Sequence, residues 1–321
     1  MKATAVAPSN IAFIKYWGKK DDVLRLPENG SLSMNLSNLT TTTTVEFSTN
    51  LNEDYVEING TQEPSEGSRA VKHLDRVRNL AKIETKAKVI TNNTFPSGTG
   101  LSSSASGFAA LTVAAAKAAG LKLSEKELSI LARQGSGSAC RSIPNGFVEW
   151  LDGETSDTSY AISLHPPDWW DLVDIVAIVS DEKKDVSSTA GQKLVYSSPF
   201  FQVRLTKIKE KLEYAKSLLK QKSFQAFGEL LEAEALELHA IMLTSTPSLI
   251  YWMPGTIQVM KFIKKVRNDG LPVYFTVNTG QDIHLICEKQ YSKEVVQALN
   301  RLDCVKQVIE NNPSDGAKIV K

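Results

Sequence analysis

Between Pro96 and Leu121 the chain reads PSGTGLSSSASGFAALTVAAAKAAGL. Its second half, FAALTVAAAKAAGL, is an Ala-rich helix closed by Gly120 and apolar nearly all the way round. A helix without a polar face must be covered on every side. That demands layers of structure around it, and 321 residues at 42% hydrophobic and 23% charged supply them. The length exceeds the usual single core, so two domains are expected. The first half, Pro96 to Gly107, is mostly glycine and serine. Small residues let backbone approach a ligand, and a helix beginning near Ser104 aims free N–H groups and its dipole at an anion. This is the physics of a phosphate cradle, although neither GxxxxGK[ST] nor GxGxxG is present. A tight turn ahead of a buried helix accounts for the same composition equally well.

Strand signals run over Thr40 to Ser48, Asp54 to Gly60 and AKVITNNTF. Ser68 to Ile83 has helical spacing with Ser68 as N-cap, and SEKELSILARQG opens on a capping box, Ser124 with Glu127, and stops at Gly135. The strand-like run LVDIVAIV, Leu172 to Val179, leads into a charged loop, SDEKKDVSSTAGQ, which divides the chain into domains at 1–180 and 181–321. Beyond it, helices are expected near Val203 to Lys220, Phe224 to Met242 and Thr256 to Asn268. A strand pair around VNTGQDIH and a last helix, SKEVVQALNRL, follow. The fold class is α+β, with a smaller α/β sandwich as second domain.

With 37 basic and 36 acidic residues the net charge is +1, so no global field gathers nucleic acid or an anionic membrane. Any anion has to be met locally. Three widely spaced cysteines suggest neither a disulfide framework nor a CxxC metal site, and a reducing cytoplasm is expected. The N-terminus does not read as a signal peptide, and no stretch approaches the roughly 18 apolar residues of a membrane span. The four histidines show no metal-ligand spacing.

Three more segments carry anion chemistry. ARQGSGSACRS groups Ser136, Ser138 and Arg141, a possible fork for carboxylate or phosphate. SNIAFIKYWGKKDD sets Lys15, Lys19 and Lys20 around Tyr16 and Trp17. KKDVSSTAGQ places hydroxyls behind two lysines. Each has a plainer explanation alone: a loop with a surface arginine, a strand end with solvated lysines, a capping turn. Together they suit phosphoryl transfer, in which positioning and charge neutralisation do most of the catalysis, with a nucleotide and a separate anionic substrate.

The motifs AP-NIA-IKYWGKKD, LPENGSLS, FPSGTGLSSSASGFAAL, ARQGSGSACRS-GFVEW and KKDVSSTAGQ resemble the mevalonate diphosphate decarboxylases of the galactokinase, homoserine kinase, mevalonate kinase and phosphomevalonate kinase (GHMP) superfamily. The resemblance implies an N-terminal domain with a left-handed βαβ unit, a ferredoxin-like C-terminal domain and an active site in the cleft between them. It implies ATP and Mg2+, a homodimer, and phosphorylation of the tertiary 3-hydroxyl of a 5-phosphorylated mevalonate, followed by loss of phosphate and CO2. By position, Pro96, Ser97, Gly98, Gly100, Ser102, Ser103, Ser104 and Ser106 would hold ATP phosphates. Ser136, Ser138 and Arg141 would meet the substrate carboxylate and a nearby phosphate. Lys15, Tyr16 and Lys19 would bind the 5-phosphate end or developing charge, and Ser188 the substrate or a magnesium-bound phosphate. No metal ligand is assigned.

One turn departs from this pattern. The family's Asp-Ala-Gly-Pro-Asn, whose Asp is the proposed base, is here Asn278-Thr279-Gly280-Gln281-Asp282, with Gly280 free to take positive φ. An asparagine cannot accept the hydroxyl proton. Either Asp282 faces the hydroxyl from the other end of the turn, which is the reading favoured, or a loose transition state needs no carboxylate base. The departure also resembles the branch acting on mevalonate 5-phosphate to give isopentenyl phosphate, which is the expected reaction. The alternatives are the same reaction on the 5-diphosphate, 3-phosphorylation without decarboxylation, and a silent nucleotide binder.

Overall fold

The computed structural model describes residues 1–65, 67–96 and 99–320. In chain order the first half holds β1 (Lys2–Ile14), β2 (Lys19–Asp21), β3 (Leu26–Pro27), β4 (Ser31–Ser48), β5 (Tyr55–Ile58), β6 (Thr61–Glu63), α1 (Arg69–Ala81), β7 (Lys86–Asn93), α2 (Ser103–Ala118), α3 (Glu125–Gly135), β8 (Phe147–Trp150) and β9 (Ala161–His165). The second half holds β10 (Leu172–Ile178), α4 (Ser188–Gly191), α5 (Phe201–Gln221), α6 (Phe224–Leu243), α7 (Pro254–Asn268), β11 (Tyr274–Thr276), β12 (Ile283–Glu288), α8 (Ser292–Leu299), β13 (Gln307–Asn311) and β14 (Lys318–Val320).

An eight-stranded sheet runs β14-β1-β4-β7-β5-β6, with β8 on β4 and β9 on β8. Its 18-residue β4 is long enough to pair β1 along its length, β8 at one end and β7 at the other. The β5–β7 pair is parallel and is joined through α1, a βαβ unit. α2 lies against β1 and β4 and is flanked by α1 and α3. That cover explains its missing polar face: Ala109, Ala110 and Ala114 pack with Ala5, Ala7, Val45, Leu74 and Leu131. The caps follow the sequence, since Ser68 accepts from Val71 N and Ser124 and Glu127 form a reciprocal capping box.

A four-stranded antiparallel sheet, β11-β12-β10-β13, forms the second layer system. β10 is buried on both faces, which is why it reads as an apolar run broken only at Asp174, whose buried carboxylate meets His284 Nδ1. Val173, Ile175 and Ala177 pack on α7 and α8 through Val259, Ile263, Val295 and Leu299. The alternate residues Leu172, Val176 and Ile178 share a core with Phe227 and Leu231 of α6 and with Ile11, Phe13 and Met34 of the first sheet. This shared core fixes the two sheets relative to each other. Against the division expected at residue 180, β10 already lies in the second sheet, and β14 returns to pair with β1, Thr4 opposite Val320. Among the described residues no helix is long and apolar enough to cross a membrane. All three cysteines are free thiols.

Candidate active site

A cavity of about 240 Å³ opens where the end of β1, the start of α2, the 3-10 turn Gly137–Ser142, α4 and the β11–β12 turn converge. Among the described residues five cationic side chains line it, Lys15, Arg25, Arg69, Arg141 and Lys184, and no carboxylate does.

Trp17, buried among Val195, Phe201 and Leu238, anchors the chain just past β1. The anchoring turns Lys15 inward. Its amine donates to Ala12 O (2.7 Å), Thr276 Oγ1 (2.7 Å) and Asn278 Oδ1 (3.2 Å). Burial dominates its titration and, with Glu234 opposing, pushes its pKa down to about 7. Lys20, by contrast, is the solvated lysine that a strand end suggests, paired with exposed Glu154. Lys19, expected to bind substrate, is held by Asp22 and does not line the cavity. The Tyr16 hydroxyl donates to Gln192 Oε1 (2.9 Å), and burial raises its pKa.

Arg141 is no surface arginine. Its buried guanidinium donates to Asn10 Oδ1 (3.0 and 3.3 Å) and Ser31 Oγ (2.7 Å), and among the described residues it has no carboxylate partner. Neutral acceptors leave its charge unbalanced, so an arriving anion meets a positioned and uncompensated cation. Asn10 is itself steadied by Ser142 Oγ (2.8 Å) and Ser138 O (3.3 Å). Ser136 and Ser138 line the cavity beside Arg141, and Ser136 Oγ reaches Ser104 Oγ at 3.4 Å.

At the start of α2, Ser102 takes a left-handed backbone, φ 58°, and its side chain does not cap the helix, which leaves first-turn N–H groups for a ligand. Gly100, Ser102, Ser103 and Ser104 line the cavity. Ser106, expected beside ATP, is instead buried against Thr41 Oγ1 (2.6 Å), because one turn into the helix its side chain faces the sheet. Pro96 is exposed and does not line this cavity; Ser97 and Gly98 lie outside the described residues. A second chamber of about 560 Å³ adjoins, walled by Val56, Ile58, Val89, Phe108 and Leu111, and it shares Arg69, Ser103 and Ser104 with the first. The start of α2 thus stands between an apolar chamber and a cationic one.

Ser188 opens α4; its hydroxyl lies 2.6 Å from Thr279 Oγ1 and accepts from Lys184 Nζ (2.8 Å). Lys184 also donates to Thr279 O (2.8 Å), and burial pushes its pKa down to about 8. The capping role suggested for this segment belongs to its neighbour Ser187, which accepts from Ala190 N.

In the β11–β12 turn, Asn278 Nδ2 donates to Ser102 Oγ (3.3 Å), while His239 Nε2 donates to Asn278 O (3.0 Å). Gly280 is not needed for positive φ: a Cβ there would meet Thr99 O at 2.2 Å and Gly100 Cα at 2.5 Å. Its role is to let this turn touch the glycine-serine loop backbone to backbone. Asp282, expected to face the reacting hydroxyl, does not line the cavity. Its Oδ1 accepts from Val179 N (3.0 Å), and burial raises its pKa to about 6. The turn carries Asn278 to the cavity while Asp282, at the foot of β12, points at the end of β10. Sequence reasoning left Asn10, Arg25, Arg69, Lys184 and Gln192 unassigned, although Asn10, Lys184 and Gln192 stand inside the motifs that carry the resemblance.

Residues 7–161 match the family described as diphosphomevalonate decarboxylase-like N-terminal domain, and residues 174–319 match the mevalonate 5-diphosphate decarboxylase C-terminal domain. The diphosphomevalonate decarboxylase of Ganoderma lucidum is 36% identical over 93% of this chain and 81% of its own. The phosphomevalonate decarboxylase of Haloferax volcanii is 33% identical over 95% and 93%. The solved structure of MDDEF, from Enterococcus faecalis, in complex with MVAPP, AMPPCP and magnesium superposes with a TM-score of 0.94 at 37% identity, covering 100% of this chain and 99% of its own. With both halves matched in order and the fold reproduced over its full length, the chain belongs to the diphosphomevalonate decarboxylase family.

Proposed function

We propose that the protein catalyses the ATP-dependent decarboxylation of a phosphorylated mevalonate, with mevalonate 5-diphosphate as the better supported substrate. The carrying observation is the cationic cavity, without a carboxylate among the described residues, joined across the start of α2 to an apolar chamber. The apolar chamber suits a nucleoside base, the uncapped N-terminus its phosphates, and the cationic cavity a substrate bearing carboxylate and phosphate. Arg141, with Ser136 and Ser138, takes the carboxylate end; Tyr16 and Arg25 face the phosphorylated end; Lys184 and Ser188 hold the transferred phosphoryl group. Phosphorylating the tertiary hydroxyl turns a poor leaving group into a good one, and its departure draws the C1–C2 electron pair into the new double bond as CO2 leaves.

Magnesium supplies charge neutralisation between the phosphates. Among the described residues no group of three His, Cys, Asp or Glu side chains surrounds a cation position, so the protein offers it neutral hydroxyls such as those of Ser103 and Ser104. That donor set fits a hard ion that keeps its waters and takes its anionic ligands from phosphate.

The expectation of a 5-monophosphate substrate rests on the one turn at Asn278 to Asp282. Most of the similar curated proteins are diphosphomevalonate decarboxylases, and MDDEF holds MVAPP, so the diphosphate is now favoured. The Haloferax relative keeps the monophosphate as second reading. A cytoplasmic homodimer is carried over from the family resemblance and is checked by light scattering. The deciding assay supplies ATP, magnesium and each phosphomevalonate in turn and records ADP and CO2 together. Stoichiometric ADP and CO2, with higher kcat/KM for the diphosphate, is expected. ADP without CO2 means a kinase, and neither product means a binding protein.

A further inference from the structure

The cavity poses a proton problem. If the reading above holds, the 3-hydroxyl loses a proton, yet Asn278 is an amide, Asp282 is turned to Val179 N, and among the described residues no carboxylate lines the cavity. Its histidine neighbour, His239, already donates Nε2–H to Asn278 O and is held neutral by burial. We propose that the amine of Lys15 is the general base, taking the proton of the tertiary hydroxyl where a carboxylate is absent. Lys15 lines the cavity and is 2% exposed, and among the described residues its amine meets only neutral acceptors. Two of its three contacts, to Ala12 O and Thr276 Oγ1, are short, and the third, to Asn278 Oδ1, is the longest at 3.2 Å. All three partners are acceptors, the arrangement of an ammonium; a neutral amine keeps two N–H donors for the short contacts, and its lone pair meets the substrate hydroxyl where that hydroxyl replaces the long contact to Asn278 Oδ1.

Charges facing the amine come from four elements. Glu234 of α6 and Asp174 of β10 favour the ammonium; Arg141 of the 137–142 turn and Arg204 of α5 oppose it, as does burial, which is the largest influence. The balance leaves Lys15 half neutral near pH 7, suited to proton transfer at neutral pH. In the step, the amine lone pair takes the hydroxyl proton, the oxygen bonds the γ-phosphorus of ATP, and the bond from that phosphorus to the bridging oxygen breaks with its electron pair leaving on ADP. The ammonium then returns its proton to water after products leave.

This role rests on the decarboxylase reading, and one experiment separates the two. At saturating ATP, magnesium and phosphorylated mevalonate, kcat is measured from pH 5.5 to 9 (on the order of the span around the Lys15 midpoint) for the native protein, Asn278→Asp, Lys15→Arg and the double variant. The native kcat should rise about tenfold per pH unit below the midpoint and level off above it. In Asn278→Asp the new carboxylate takes the proton, so the rising limb should move about one unit or more toward acid. Ionisations of ATP and substrate phosphates are common to both proteins, so the displacement reports the base. Lys15→Arg keeps the charge and loses the base, lowering kcat by about 10² to 10⁴, and adding Asn278→Asp should restore about tenfold or more. Coincident limbs in the native protein and Asn278→Asp, or a Lys15→Arg protein within a few-fold of native, overturn the proposal while ADP and CO2 release still upholds the decarboxylase reading. Should Lys15→Arg not fold, the comparison of the two limbs decides alone.

Discussion

Gly280→Ala tests whether the site depends on the contact between two loops from different halves of the chain. The added Cβ would lie 2.2 Å from Thr99 O and 2.5 Å from Gly100 Cα, both backbone atoms, where real Cβ contacts essentially never fall below 3.0 Å. Neither atom belongs to a side chain that could swing aside, so the turn and the glycine-serine loop must separate by roughly 1 Å, the misplacement that costs about 10² in rate when it reaches reacting groups. It does reach them here. The turn carries Asn278 and Thr279, which contact Lys15, Ser102 and Ser188, and the other loop carries the start of α2. Overpacking of this kind destabilises by about 1–3 kcal/mol. For a protein of this size that lowers Tm by about 2–4 °C per kcal/mol. Coupled measurement of ADP and CO2 release beside thermal unfolding should therefore show kcat down about 10² with a modest fall in Tm. A variant with native Tm and kcat within twofold refutes the argument that backbone contact at Gly280 positions the site.

Three further outcomes follow from the buried charges. Asp282→Asn keeps the acceptor for Val179 N and removes a carboxylate that burial holds at a pKa of about 6, against 3.8 normally. A raised folded pKa costs stability as pH rises through 6, so at pH 7.5 the variant should unfold about 1–2 kcal/mol later with turnover near native; a large loss of turnover would restore Asp282 as the base. Glu234 is fully buried, accepts from Lys15 N, and pairs with Arg204 and Lys211; burial raises its pKa, but these cations hold it down to about 2. Glu234→Gln should cost about 3 kcal/mol in urea unfolding, the low end for a broken buried pair because Glu237 stays on Arg204; an unchanged midpoint contradicts this. His73 and His239 are pushed down to about 3 by burial, so below 6.5 the unfolded chain binds protons that the native one refuses. Stability present above 6.5 should fall by about 2 kcal/mol per histidine by pH 5, outweighing the opposite trend of Asp282. Equal urea midpoints at pH 7 and pH 5 would exclude that linkage.

Much of this molecule was fixed by local chemistry. The caps Ser68 and Ser124, the largely apolar α2, the mostly apolar β10 and the long helices of the second half each follow from a spacing or a residue type that acts within a few positions. The anion-seeking motifs were legible for the same reason: hydroxyls, cations and glycines announce themselves in order along the chain. What the sequence could not say is which of these groups are buried, because burial depends on the element that packs over them. Lys15 and Arg141 read as solvated side chains until Trp17 and the shared core are in place. Lys19 and Ser106 read as ligands until Asp22 and Thr41 claim them. The turn at Asn278 shows the limit most clearly. Its residues declared that the usual carboxylate was missing, but only the packing of Gly280 on Gly100 and of Asp282 on Val179 N decided which end of the turn enters the cavity. An amide there leaves a buried lysine amine as the base at hand, since a pKa is a property of surroundings that no spacing encodes.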